Sequence, residues 1–144
     1  MSASDELQLH HIGYLVKDLV VAQQHWEQAY GYHAHGQTIQ DVGQQARVLL
    51  LRKRSERHWI ELISPDSEQS HLHGALQRKV SLHHVAYQVE DMMSSAQSLR
   101  AAGGLPLSKP VIGAAFQRTI MWFHDPLKGL VELIAAGEGP YQLD

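Results

Sequence analysis

The chain has no cysteine among its 144 residues. That excludes disulfides, thiolate metal sites and cysteine nucleophiles. No apolar run approaches the ~20 residues needed to cross a bilayer, so no membrane partner is expected. No basic stripe is present either. The formal charge is -3, and a nucleic-acid partner is not expected. The densest basic run is Arg52-Lys53-Arg54 with Arg57 nearby, and Glu56 interrupts it. It reads as a solvated hairpin turn. The start, Met-Ser-Ala-Ser-Asp-Glu, is polar and acidic, unlike a signal peptide. A soluble cytoplasmic protein is the expectation.

Histidine is what the chain has in excess, with 11 copies. It is the commonest metal ligand. The apolar share of 44% and the charged share of 19% are ordinary for a globular chain.

An internal repeat organises these residues. Leu9-His10-His11-Ile12-Gly13-Tyr14-Leu15-Val16 matches Leu82-His83-His84-Val85-Ala86-Tyr87-Gln88-Val89. A second pair, Ile60-Glu61-Leu62-Ile63 and Val131-Glu132-Leu133-Ile134, closes each half at nearly the same offset. Each half opens on a histidine strand and ends on a glutamate strand. Residues 8–16 alternate as a strand, Asp18 caps a helix over 19–30, and strands follow over 33–40, 45–53 and 57–64. After a polar linker with a short helix near 71–79, the second half repeats the order. It has a strand over 81–89, an Asp91-capped helix over 92–102, and strands near 106–112, 116–123 and 130–135. The fold class is therefore α+β: two βαβββ modules in tandem, about 7–65 and about 80–136, with eight strands in one domain over 1–144. Each half is marginal as an independent core, so the two are expected to fold together around a shared cleft.

Strand alternation sorts the histidine pairs. Ile12, Tyr14 and Val16 share a bulky face with His10, which should pack on the helix. His11 shares the smaller face with Gly13 and Leu15. In the repeat, His84 lies with Ala86 and Gln88, away from His83. His11 and His84 are thus the cleft candidates, and His10 and His83 are read as structural. Glu61 and Glu132 sit in apolar strands, where a carboxylate is costly unless paired, protonated or metal-bound. Together the four residues make a mixed nitrogen and oxygen donor set. It suits one divalent ion of Co, Ni, Mn, Zn or Fe better than Ca or Mg. The H-x-H pairs His33/His35 and His71/His73 read as exposed turn or linker residues.

The segments Leu9–Val16, Trp59–Pro65, Ser81–Val89 and Phe123–Ile134 resemble the vicinal oxygen chelate superfamily of glyoxalases, bleomycin-resistance proteins and extradiol dioxygenases. Within it, the likeness is to methylmalonyl-CoA epimerases and glyoxalase-like proteins. The resemblance implies an open cup of eight strands around a central metal site, with His11, Glu61, His84 and Glu132 as ligands. It implies an isomerase or lyase that removes a proton next to a carbonyl through a metal-stabilised enolate, with Glu132 and Glu61 as the proton-transferring groups. The substrate would be a small carbonyl compound or thioester, and a homodimer is a further expectation from the family. The alternatives are an extradiol-type dioxygenase and a non-catalytic binder of a small molecule or antibiotic. One type of epimerase carries an additional Glu in its third strand. The corresponding stretch here, Gln44-Gln45-Ala46-Arg47-Val48, has no acid. Arg47 is instead a candidate for an anionic group of the substrate. Gln88, Arg118, Trp122 and His124 complete the substrate candidates.

Overall fold

A computed structural model describes residues 6–141, so the chain start read above as unlike a signal peptide lies mostly outside the described residues. The described chain is α+β, with nine strands and three helices. It divides into two compact units, one of residues 12–83 and one joining the residues up to 11 with those from 84 onward. The boundaries fall inside the first strand, β1 (Gln8–Leu15), and inside the strand over Leu82–Val89. The sheet is open in each unit. Among the described residues, no helix is long and apolar enough to cross a membrane.

In the unit of residues 12–83, β1 leads into α1 (Leu19–Tyr30). Asp18 starts that helix as expected: its carboxylate accepts from the backbone N–H of Val20 at 2.9 Å and of Val21 at 3.1 Å. Gly31 ends it in the left-handed region at φ 78°, which glycine enters without a side-chain penalty. The strands β2 (His33–Asp41), β3 (Ala46–Arg52) and β4 (Trp59–Pro65) form an antiparallel meander. Ala22 of α1 packs on Leu49, Leu51, Ile60 and Leu62, with Ile12, Tyr14 and Val16 beside them. That is the helix-facing side alternation had picked for the last three. A short helix α2 (His71–Gln77) follows β4.

The run Arg52 to Arg57 is the β3–β4 turn, but it is not wholly solvated. The Arg52 guanidinium lies 4.6 Å from the centre of the Trp59 ring, and the Lys53 ammonium 4.8 Å from that of Tyr32. Long basic side chains cover aromatic faces while keeping their charge near water.

In the other unit, β5 (Leu82–Val89) pairs in parallel with β9 (Gly129–Ala135), and β8 (Thr119–Asp125) runs antiparallel to β9. Helix α3 (Met92–Ala101) is capped by Asp91, which accepts from the Ser94 N–H at 3.0 Å. Its Ala96 packs into a core with Val89, Met121, Phe123, Val131 and Leu133.

The single strand expected near 106–112 is instead two fragments, β6 (Leu105–Pro106) and β7 (Val111–Ile112), which both pair with β8. This makes nine strands rather than eight. Pro106 and Pro110 cannot donate to a ladder. Between them the Ser108 hydroxyl accepts from the Trp122 N–H at 3.0 Å, a side chain standing in for a backbone partner. The strand expected from residue 116 begins at Thr119. Residues 113–118 form a turn closed by Gly113 N–H to the Arg118 carbonyl at 2.9 Å.

Candidate metal centre

Three strand residues of one unit converge. His11 comes from β1, His84 from β5 and Glu132 from β9. Alternation along β5 puts His84 on the face of Ala86, and the register sets Ala86 directly beside Glu132. Ala86 is small and fully buried, so it leaves room for the larger groups around it. On the other side of Glu132, β8 sets Trp122 opposite, and its ring meets that of His84 edge-on at 4.9 Å. Phe116, from the 113–118 turn, stacks on His11 with centroids 4.8 Å apart.

His11 and His84 are each 1% exposed and Glu132 5%. The two Nε2 atoms are 3.1 Å apart, and His11 Nε2 is 3.2 Å from Glu132 Oε1. One donor atom from each of the three lies within 4.8 Å of the others. A bond of about 2.1 Å from each ligand to a central ion would space neighbouring donors about 3.0 Å apart in an octahedral set and about 3.4 Å in a tetrahedral one. The observed 3.1 and 3.2 Å separations fall in that window. Two imidazole nitrogens and one carboxylate oxygen also match the chemistry of a divalent transition metal. The residues present therefore fit such an ion.

His10 departs from the face that alternation assigned to it. It is fully buried, but its ring lies against His11 and Phe116 rather than in the α1 core. Its Nδ1 is 2.8 Å from the Nδ1 of His11. The two residues are sequence neighbours, and a regular strand would point them to opposite faces. Neither His10 nor Phe116 was marked by the repeat as part of the site. The doubled histidine was the available signal for the first; nothing in the sequence singles out the second.

Glu61 belongs to the unit of residues 12–83. It is 3% exposed on β4, opposite Leu50 of β3. Arg47 is exposed on β3, between Gln40 and Ser64. Gln88 and Arg118 bond to each other: the buried Arg118 donates from Nη1 to the Gln88 side-chain Oε1 at 2.8 Å. The same guanidinium donates to the backbone carbonyls of Ala135 and Tyr141. Burial lowers its pKa, and the charge of Glu138 partly opposes that shift. Arg118 thus holds the chain that follows β9 against the 113–118 turn. Trp122 is half-buried against His84, and His124 is exposed.

The family profile of the Glyoxalase/Bleomycin resistance protein/Dioxygenase superfamily matches residues 10–122. The match covers His11 and His84 and stops short of Glu132. A comparison with curated proteins finds no match. Among solved structures, methylmalonyl-CoA epimerase from Mycobacterium tuberculosis is similar at a TM-score of 0.82 and 23% identity, covering 96% of this chain and 93% of that one. A variant of the Streptomyces coelicolor epimerase, in complex with 2-nitronate-propionyl-CoA, gives a TM-score of 0.78 at 23% identity over 94% and 99% of the two chains. A hypothetical protein from Bacillus halodurans gives 0.79 at 22% identity over 95% and 99%. At these identities the structural likeness establishes the fold.

Proposed function

Because the chain belongs to the glyoxalase/bleomycin resistance protein/dioxygenase superfamily, we propose that it is a metal-dependent isomerase acting on a carbon next to a thioester carbonyl. The observation that carries this reading is the buried trio of His11, His84 and Glu132 with donor atoms at ligand spacing. A divalent ion held there would polarise a carbonyl oxygen and so acidify the adjacent C–H.

The side chains would divide the work. His11 and His84 offer neutral nitrogen donors and cannot replace a base while they ligate. Glu132 has two carboxylate oxygens. One can stay in the ligand set while the other takes the proton from carbon and returns it. Glu61, equivalent to Glu132 in the repeat, is the candidate for a partner base. The similar Streptomyces enzyme holds a nitronate of propionyl-CoA. A nitronate is planar and carries its charge on oxygen, as an enolate does, which favours a CoA thioester as substrate here.

The test is deuterium wash-in. The metal-loaded chain is incubated in D2O with methylmalonyl-CoA and, separately, with a methylglyoxal–thiol adduct. Deuterium at the carbon beside the carbonyl in the first mixture is expected, and Glu132→Gln should slow it by roughly 10²–10⁴-fold. Exchange in the second mixture alone would move the reading to a glyoxalase-like lyase. Exchange in neither would overturn it. Glu61→Gln belongs in the same assay, where retained metal with lost exchange marks a base.

A second reading has its own observation. Two histidines and one carboxylate are the donor set of non-haem Fe(II) oxygenases. Oxygen uptake by the Fe(II)-loaded chain with a catechol, without deuterium exchange, would favour it.

A further inference from the structure

The contact between His10 and His11 carries information that the ligand trio alone does not. Their Nδ1 atoms are 2.8 Å apart, and both rings are buried. A neutral imidazole has one N–H and one lone pair. Two such nitrogens at this distance need a single proton between them, so one ring donates and the other accepts.

The position of the metal decides which ring does which. His11 turns its Nε2 toward His84 Nε2 and Glu132 Oε1, at 3.1 and 3.2 Å. To ligate, that Nε2 must present its lone pair, and the ring proton then belongs on Nδ1. His11 Nδ1–H can donate only to an acceptor, which His10 Nδ1 supplies when His10 carries its own proton on Nε2. Phe116 holds both rings in place. It lies edge-on to His10 at 4.6 Å and stacks on His11 at 4.8 Å. Either imidazole, in turning, would disturb the phenyl ring packed against both.

We propose that His10 is a positioning residue for the metal: it accepts the Nδ1–H of His11 and so sets that ligand in the tautomer and orientation that aim Nε2 at the ion. This rests on the metal-binding reading above, but not on which reaction the metal serves. Partners of this kind, which hold the second nitrogen of a ligating histidine, commonly contribute 10–100-fold to metal affinity. The usual partner is a carboxylate or a backbone carbonyl; here it is a second imidazole from the adjacent residue.

The experiment uses the full chain and zinc alone, with affinity read by competition against a chromophoric chelator. His10→Leu removes the acceptor, and zinc affinity should fall roughly 10–100-fold. His10→Asn places an amide oxygen about where the Nδ1 stood, and should restore most of that loss. Long-range ¹⁵N–¹H spectra of the zinc-loaded native chain supply a readout that needs no variant. They should show His11 protonated at Nδ1, and His10 protonated at Nε2 with Nδ1 bare. A His10 that carries its proton on Nδ1 in the zinc-loaded chain would overturn the proposal, as would His10→Leu binding zinc as tightly as the native chain. Failure of the native chain to bind zinc would instead overturn the metal reading itself, and this inference with it.

Discussion

Glu56 looks in the sequence like one acid interrupting a basic turn. In the structure it is the hub of a polar cluster. The Tyr32 hydroxyl donates to it, His58 lies 3.1 Å away and Lys53 3.4 Å away. The Tyr32 hydrogen bond is the main cause holding its carboxyl below the usual range, with His58 and Lys53 adding to it against partial burial. A depressed carboxyl stabilises the folded chain above its unfolded pKa, and that contribution is lost as pH falls through the folded value. Tyr32→Phe should therefore return the Glu56 titration toward the ordinary carboxylate range, followed by its ¹³C carboxyl shift against pH. The stability gap between the two proteins should narrow as the solution is acidified below about pH 4. An unchanged titration would assign the shift to Lys53 and His58 instead. None of this was legible beforehand. Tyr32 stands at the far end of the β2–β3 pairing, and local composition says nothing about which distant hydroxyl reaches a turn. His11 and His84, the histidines proposed as ligands, stood out in the sequence because the repeat marks them twice. His10 was misplaced because alternation assumes a regular strand, and this one brings two adjacent rings together.

At the scale of elements, the local signals worked where hydrogen-bonding side chains terminate structure. Asp18 and Asp91 both cap helices where the two halves of the repeat place them. Asp18→Ala leaves the first N–H groups of α1 without their acceptor and should cost about 1 kcal/mol of stability, as should Asp91→Ala at α3. Urea denaturation measures both. A loss well below a few tenths of a kcal/mol would mean that packing on Leu49, Leu51 and Ile60 carries α1 without its cap. The region around residues 105–112 was less legible. Its residues favour extended backbone, which reads as one strand. Whether such backbone joins a ladder depends on free N–H groups facing a neighbour, and Pro106 and Pro110 withhold theirs. The turn at residues 113–118, which brings Phe116 onto the histidines, has no sequence signature beyond Gly113. There an added Cβ would come within 2.9 Å of Ile120.

At the scale of the molecule, the repeat predicted the α+β class and the βαβββ order of elements, apart from the broken strand. The unit boundaries fall between His11 and Ile12, inside β1, and between His83 and His84, inside β5. As a result, His11, His84 and Glu132 all belong to one unit, although the first is a long way from the others in sequence. Glu61 and Glu132 are each almost fully buried on a strand, paired across the ladder with Leu50 and Trp122 respectively. Two imidazoles and a carboxylate are proposed to hold a divalent ion. X-ray absorption at the nickel edge of the nickel-loaded chain tests it most directly, because imidazole rings leave a distinct multiple-scattering signature. Two imidazoles are expected in the coordination shell, falling to one in His84→Ala. A shell of oxygen donors alone, or a native spectrum that His84→Ala leaves unchanged, would contradict it.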